Sequence, residues 1–213
     1  MSTSLAERLK SETRMLHTQA ERSVFMGVLL RGKMEQAAYC ALLRNLHAIY
    51  AAMEPALVRH AAHPSIAPVF APPLARTQAL AADLDDLHGP GWHAALAVQP
   101  SGAQYVLRLK QLEADEPELL LAHAYVRYLG DLSGGQMLSR IVAQSMQLPA
   151  GQGTAFYDFG DASETTRLTR AFRGGLQAVA VGEIGVDAIV AEACSAFQRH
   201  QALFEELAVA HLR

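Results

Sequence analysis

The chain has 213 residues, half of them apolar (51%) and 18% charged, with a net charge of −3. That is enough apolar material to bury a sizeable core. There is no basic excess to hold nucleic acid, and no apolar run approaches the roughly 20 residues that a membrane span needs. The two cysteines, Cys40 and Cys194, lie far apart in helical patterns and read as free thiols of a reducing cytoplasm rather than a disulfide framework.

Helical signals run through almost the whole sequence. Met1–Lys10 reads as an amphipathic helix rather than a signal peptide. Ser4 with Glu7 three residues on forms a capping-box pattern, and Leu5, Leu9, Leu16, Ala20 and Val24 follow on one apolar face. Gly27 and Gly32 frame a short turn. The second helix carries Tyr39, Leu42, Leu43, Leu46, Ile49, Tyr50 and Met53, and Pro55 should kink or break it. His63–Pro73 reads as a loop, Leu74–Leu87 as a helix ended by the Gly89-Pro90-Gly91 turn, and Ser101 as the cap of a helix reaching about Glu113. Asp115, with Pro117 and Glu118 behind it, opens a long helix that runs past three glycines to Gln147. After a loop at Gly151–Gly160 come a helix from Ser163 to Arg173, interrupted by Gly174-Gly175, and a last helix from about Val186 to Leu212. No segment alternates as a strand does, and nothing repeats. The expectation is an all-α fold in which residues 1–213 form a single domain.

Two stretches carry chemistry. At about 100° per residue, Lys10, Arg14, His17 and Glu21 fall on one polar stripe of the first helix, with His17 at its border with the apolar face. A haem ligand belongs at such a border, because the macrocycle needs apolar walls while its propionates need cations and water. Lys10 lies about 10 Å along the axis from His17, and Glu21, one turn on, can accept the other ring N–H. A solvated helix edge would show the same spacing. The second stretch is Tyr125-Val126-Arg127-Tyr128-Leu129-Gly130-Asp131-Leu132-Ser133-Gly134-Gly135-Gln136. Its three glycines cost a helix roughly 3 kcal/mol relative to alanine, yet the apolar pattern resumes with Met137, Leu138, Ile141 and Val142. Gly130 and Gly134, one turn apart, leave a bare patch that something flat can approach. Glycine caps between two helices, or close helix packing, would also explain it.

The segment Leu16-His17-Thr18-Gln19-Ala20-Glu21 resembles the proximal-histidine segment of haem oxygenases. The run from Ala122 to Gln136 is similar to their distal helix, and Leu203-Phe204-Glu205-Glu206-Leu207 to their last helix. The resemblance covers about Leu5 to Leu207. It implies a helical fold with haem sandwiched between the first helix and a kinked, glycine-rich distal helix. It also implies cleavage of haem to biliverdin, carbon monoxide and ferrous iron, using oxygen and electrons from a separate reductase or ferredoxin. By matching position it makes His17 the iron ligand and Glu21 its partner, with Gly130 and Gly134 as the surface against which haem lies. Asp131 becomes the anchor of a distal water network with Tyr50, Arg127 and Tyr105. Lys10, Tyr125 and Arg173 become propionate contacts, and Met26 and Phe197 pocket walls. Cleavage at the α-meso carbon follows from that propionate clamp.

The chain departs from the pattern at three places. Thr169 stands where some relatives carry a propionate lysine, for which Arg170 or Arg167 would substitute. His200 stands where some carry an asparagine joined to the distal network, and Val126 replaces a hydroxyl residue. No CxxCH motif is present, so haem would be held reversibly. No hydrophobic tail follows up to Arg213, unlike membrane-anchored relatives, and a cytoplasmic monomer is expected. The principal rival is a protein that binds or carries haem without reacting. A thiamine-hydrolysing enzyme would need a nucleophilic cysteine near carboxylates, a di-iron protein a Glu-x-x-His pair, and a DNA-binding regulator a basic stripe; the sequence has a local signature for none of them.

Overall fold

A computed structural model describes residues 4–212, apart from the side chains of Glu183 and Ile184; Met1–Thr3 of the expected N-terminal helix and the terminal Arg213 lie outside it. The described residues are helical with no strand. In chain order the helices are α1 (Leu5–Glu21), α2 (Val24–Leu30), α3 (Gln36–Arg59), α4 (Thr77–His88), α5 (Trp92–Ala95), α6 (Pro100–Asp115), α7 (Leu120–Ser145), α8 (Ala162–Ala178) and α9 (Glu183–His211). Short 3₁₀ turns sit at Pro72–Leu74, Pro117–Leu119 and Ala155–Tyr157.

Helix α1 opens on the expected capping box. Ser4 Oγ accepts from the Glu7 N–H at 3.3 Å, and Glu7 Oε2 accepts from the Ser4 N–H at 3.0 Å. Its apolar face lies on α9, which also carries α7, α2 and α6; α3 in turn packs on α4 and α6. Both α1 and α7 are held by α9, yet the two scarcely approach each other. A cleft is left between them, bridged by the Thr13 and Tyr125 hydroxyls at 3.4 Å.

Several expected boundaries move, each for a physical reason. Val24 is not part of the α1 face: it is 70% exposed and starts α2, capped by Ser23. Gly27 lies inside α2, and only Gly32, at φ +62°, makes the turn. Pro55 does not break α3. Ala51, whose carbonyl would have bonded the missing N–H, lies on the same exposed face and can be satisfied by water. Leu74 belongs to a 3₁₀ turn, and α4 starts at Thr77, where Glu54 of α3 accepts from the N–H groups of Arg76 (2.5 Å) and Thr77 (3.2 Å). Ser101 is not a cap; its N–H and hydroxyl both go to Glu206 of α9. Asp115 ends α6 rather than opening α7, and Pro117–Leu119 fills the gap. The four-residue α5 is too short to show a period. α9 begins three residues before Val186.

The two glycine-containing helices are both continuous. α7 runs unbroken past Gly130, Gly134 and Gly135, and α8 past Gly174 and Gly175. In α8 the reason is packing: a Cβ on Gly175 would overlap the Pro68 carbonyl, so the helix can lie on the 60s loop only without one. Gly174 has open space at the same point. Gly175→Ala should therefore destabilise the fold by about 1–3 kcal/mol, while Gly174→Ala should stabilise it by up to about 1 kcal/mol. Urea unfolding of the two variants checks this; equal midpoints would contradict it.

Candidate active site

The cleft between α1 and α7 is lined by the residues singled out in the sequence. One part is a cavity of about 320 Å³, apolar over most of its wall, with Met26, Leu42, Leu46, Phe156, Phe197 and Phe204 on its sides. His17, Gly130, Asp131, Gly134, Arg127 and His200 border the same cavity. The other part is a space of about 560 Å³ whose lining includes the cations Lys10, Arg14 and Arg173, together with Tyr125. Both parts share His17, Val126, Gly130, Ser133 and Phe197. An apolar chamber and a cationic mouth thus meet at His17.

His17 is half exposed, its ring edge-on to Phe197 at 5.9 Å between centroids. Nδ1 lies 3.5 Å from Glu21 Oε2. A carboxylate only accepts, so it favours the tautomer with hydrogen on Nδ1 and leaves the Nε2 lone pair free. Across the cleft, Gly130 and Gly134 have nothing within 4 Å of where a Cβ would be. Close helix packing therefore does not explain them. Gly135, on the other side of α7, does pack, with Tyr157 at 3.4 Å.

Beneath the bare patch lies a buried charge network. Asp131 is 7% exposed; its Oδ1 accepts from Arg127 Nη2 at 2.6 Å and its Oδ2 from the Tyr50 hydroxyl. Arg127 Nε donates to the Tyr50 oxygen at 3.1 Å. Burial pushes the Asp131 carboxyl up from the usual carboxylate range, opposed by the Arg127 charge. Burial likewise raises the Tyr50 hydroxyl, which keeps it a donor. Tyr50 itself is fully buried behind Asp131 and does not border the cavity.

Other expected members stand elsewhere. Tyr105 is hydrogen-bonded not to Asp131 but to His123 Nδ1, at 2.9 Å. Thr169 and Arg170 line an adjoining cleft that shares Ser133 and Arg173 with the cationic mouth. Arg167 is held by Glu164 at 2.6 Å on the surface and borders neither space. Lys10, Arg14, Arg170 and Arg173 make no ion pair among the described residues.

A second buried network was not foreseen from the sequence. His123 Nε2 lies 2.9 Å from Glu192 Oε1, and Arg108 Nη2 lies 2.7 Å from Glu192 Oε2. His123 stands one turn before Arg127 on the same face of α7, and Glu192 is the buried charge of an apolar face of α9; those were the available signals. Burial alone would raise the Glu192 carboxyl, but the bonds from His123 and Arg108 outweigh it and hold it at about 2.

A family model described as "Heme oxygenase" matches residues 3–206. "Heme oxygenase 1" of Nostoc sp. is 41% identical over 207 residues, 97% of this chain and 87% of that protein. "Heme oxygenase 1" of Homo sapiens is 37% identical over 209 residues, 97% of this chain and 73% of that protein. The crystal structure of heme oxygenase-1 from Synechocystis sp. in complex with heme matches at a TM-score of 0.93 and 36% identity, covering 99% of this chain and 95% of that one.

The depressed Glu192 carboxyl has a consequence for stability. It titrates lower when folded than its ordinary 4.5, so its contribution is complete above that pH and fades as pH falls towards 2. Glu192→Gln should cost on the order of 3 kcal/mol at pH 7, and the difference from wild type should shrink at pH 3.5. Denaturant unfolding at both pH values tests it; a difference that does not change with pH would contradict it.

Proposed function

The chain belongs to the heme oxygenase family, and from that premise we infer that it is an enzyme that opens haem to biliverdin, carbon monoxide and ferrous iron. The observation that carries the reading is the pair of side-chain-free positions, Gly130 and Gly134, bordering the same cavity as His17. The lining fits haem: a free imidazole lone pair, apolar walls and unpaired cations at one end. A protein that only carried haem would use the same histidine and walls but would have no need of a buried carboxylate beside the ring, and the Asp131 network favours catalysis over carriage.

Haem supplies both the iron that activates dioxygen and the ring carbon that is oxidised. His17 would hold the iron through Nε2, with Glu21 fixing the tautomer through Nδ1. Gly130 and Gly134 would let the ring lie against helix backbone, and that wall would close off one side of the space above it, directing reaction to one edge. Both Asp131 oxygens accept from protein donors, and each keeps a lone pair for water. Asp131 would therefore order water over the ring and hold a proton source there, with Tyr50 and Arg127 fixing its orientation. Met26 and Phe197 would wall the ring. Lys10, Tyr125 and Arg173 would take the propionates, with Arg170 in the part of the lysine absent at Thr169. That clamp is the ground for expecting the α isomer.

Dioxygen and electrons from a separate reductase or ferredoxin complete the reaction. The unpaired Lys10, Arg14, Arg170 and Arg173 offer such a donor a basic rim at the cleft mouth. The expected setting is a cytoplasmic monomer. Cys40 and Cys194 are free thiols; among the described residues no helix is long and apolar enough to cross a membrane.

The test is to add haemin and a reductant under air. Wild type should lose the Soret band and release mainly α-biliverdin; an unchanged band would leave a haem carrier, and a β or δ product would mean a rotated ring. His17→Ala should alter the ferric spectrum and lose turnover, with recovery on adding imidazole. Asp131→Ala should keep haem and the His17 spectrum but form biliverdin at least about tenfold more slowly. Normal turnover in Asp131→Ala would leave that residue a structural role only.

A further inference from the structure

Of the described glycines inside helices, only Gly130, Gly134 and Gly174 have nothing within 4 Å of where a Cβ would be. The first two face the cavity at His17; the third lies in α8 and does not border that cavity. Its backbone is ordinary helix, so no left-handed turn calls for glycine there, and alanine would strengthen the helix. What Gly174 does border is a second cleft, of about 560 Å³, between α8 and α7. That is within the size range of small-molecule sites.

This cleft opens into the cationic mouth, sharing Ser133, Arg173 and Gln177 with it, whereas Gly174, Thr166 and Arg170 border the cleft alone. Arg170 and Arg173, one turn apart on α8, make no ion pair among the described residues. Much of the remaining lining is hydroxyl. Thr166 Oγ1 donates to the Ala162 carbonyl at 2.7 Å and Thr169 Oγ1 to the Thr165 carbonyl at 2.8 Å, so both turn lone pairs rather than hydrogens towards a ligand. Such a lining does not match haem, whose faces are apolar and whose four nitrogens are bound to iron. It matches the same molecule after ring opening and loss of iron. The product is a flexible chain of four pyrroles with free N–H donors, a lactam carbonyl at each end and two carboxylates. Thr166 and Thr169 can accept from the N–H groups, Ser133 and Gln177 can donate to the lactams, and the two guanidinium groups can take the carboxylates.

We propose that the cleft between α7 and α8 is a binding subsite for the ring-opened product, a linear tetrapyrrole dicarboxylate, and that Gly174 lacks a side chain to admit it. Once iron no longer ties the molecule to His17, the product moves sideways through the shared mouth, with a propionate passing from Arg173 towards Arg170. The proposal rests on the haem-cleaving reading of the first cleft.

The experiment uses biliverdin added ready-made to the haem-free protein, beside haemin, with wild type and Gly174→Leu. Leucine fills the cleft without touching the His17 cavity. The variant should melt at or above the wild-type temperature and bind haemin within about twofold of wild type, while its affinity for biliverdin falls at least about tenfold, the size of one lost charge-assisted hydrogen bond. Unchanged biliverdin affinity, or equal losses for both ligands, would overturn the proposal. A second measurement needs no variant. In ¹H–¹⁵N NMR of wild type, biliverdin should move the amide signals of Gly174 and Thr166, while zinc protoporphyrin, a diamagnetic stand-in for haem, should move Gly130 and leave Gly174 in place. Biliverdin that moves Gly130 and not Gly174 would put the product where haem lies and overturn the proposal. If wild type opens no haem, the functional reading fails instead, while both measurements still decide whether the cleft binds the linear tetrapyrrole.

Discussion

Helix α7 must remain helical through a stretch that has no side chains on one face. Three glycines in six residues forfeit roughly 3 kcal/mol of helix propensity, and the two facing the cleft gain no packing in return. The helix is kept by its other face: Tyr128 and Leu132 are in the core, and Gly135 packs on Tyr157 of the short 3₁₀ turn. That turn is itself anchored, because the buried Asp83 of α4 accepts from the Ala155 and Phe156 N–H groups at 2.6 and 2.8 Å. A flat surface of backbone is thereby maintained where a large planar ligand can reach it.

The second constraint is electrostatic. Asp131, Arg127, His123 and Glu192 bring charge or strong polarity into the interior, where unpaired groups cost several kcal/mol. The structure answers by pairing every charge at short range: Asp131 with Arg127 and Tyr50, Glu192 with His123 and Arg108. The two clusters meet around Tyr105 and His200, which touch ring to ring. One cluster borders the cleft and the other reaches Arg108 near the surface, so the geometry of Asp131 is tied through α7 and α9 to the core as a whole. Such pairing favours one arrangement of the two helices over others close in energy.

Much of this was legible in the sequence. Helix type and order followed from periodicity, and the capping box at Ser4 and Glu7 is as expected. His17, Lys10, Arg14 and Glu21 share a stripe because helical spacing dictates it. The failures are equally physical. Pro55, Gly174 and Gly175 read locally as helix breakers, yet an exposed carbonyl at Ala51 and a close approach to Pro68 override the local rule. Ser101 and Asp115 looked like caps because capping is judged from a few adjacent residues, whereas Ser101 is bonded to Glu206, 105 positions away. The His123–Glu192–Arg108 cluster depends on α6, α7 and α9 coming together, and no local pattern encodes that. The bare patch itself could not be told from a packing contact until the space around each glycine was known.

Nothing in the fold requires Gly130 or Gly134 to lack a side chain, and on the proposed function they would be glycines for the sake of the ligand. The most direct test is the double substitution of Gly130→Leu and Gly134→Leu, with the melting temperature of the haem-free protein and its affinity for haemin measured side by side. Open space at both positions and the gain in helix propensity predict a melting temperature equal to or above wild type, with haemin affinity reduced at least about tenfold by the filled cleft. A lower melting temperature with undiminished haemin affinity would contradict the account.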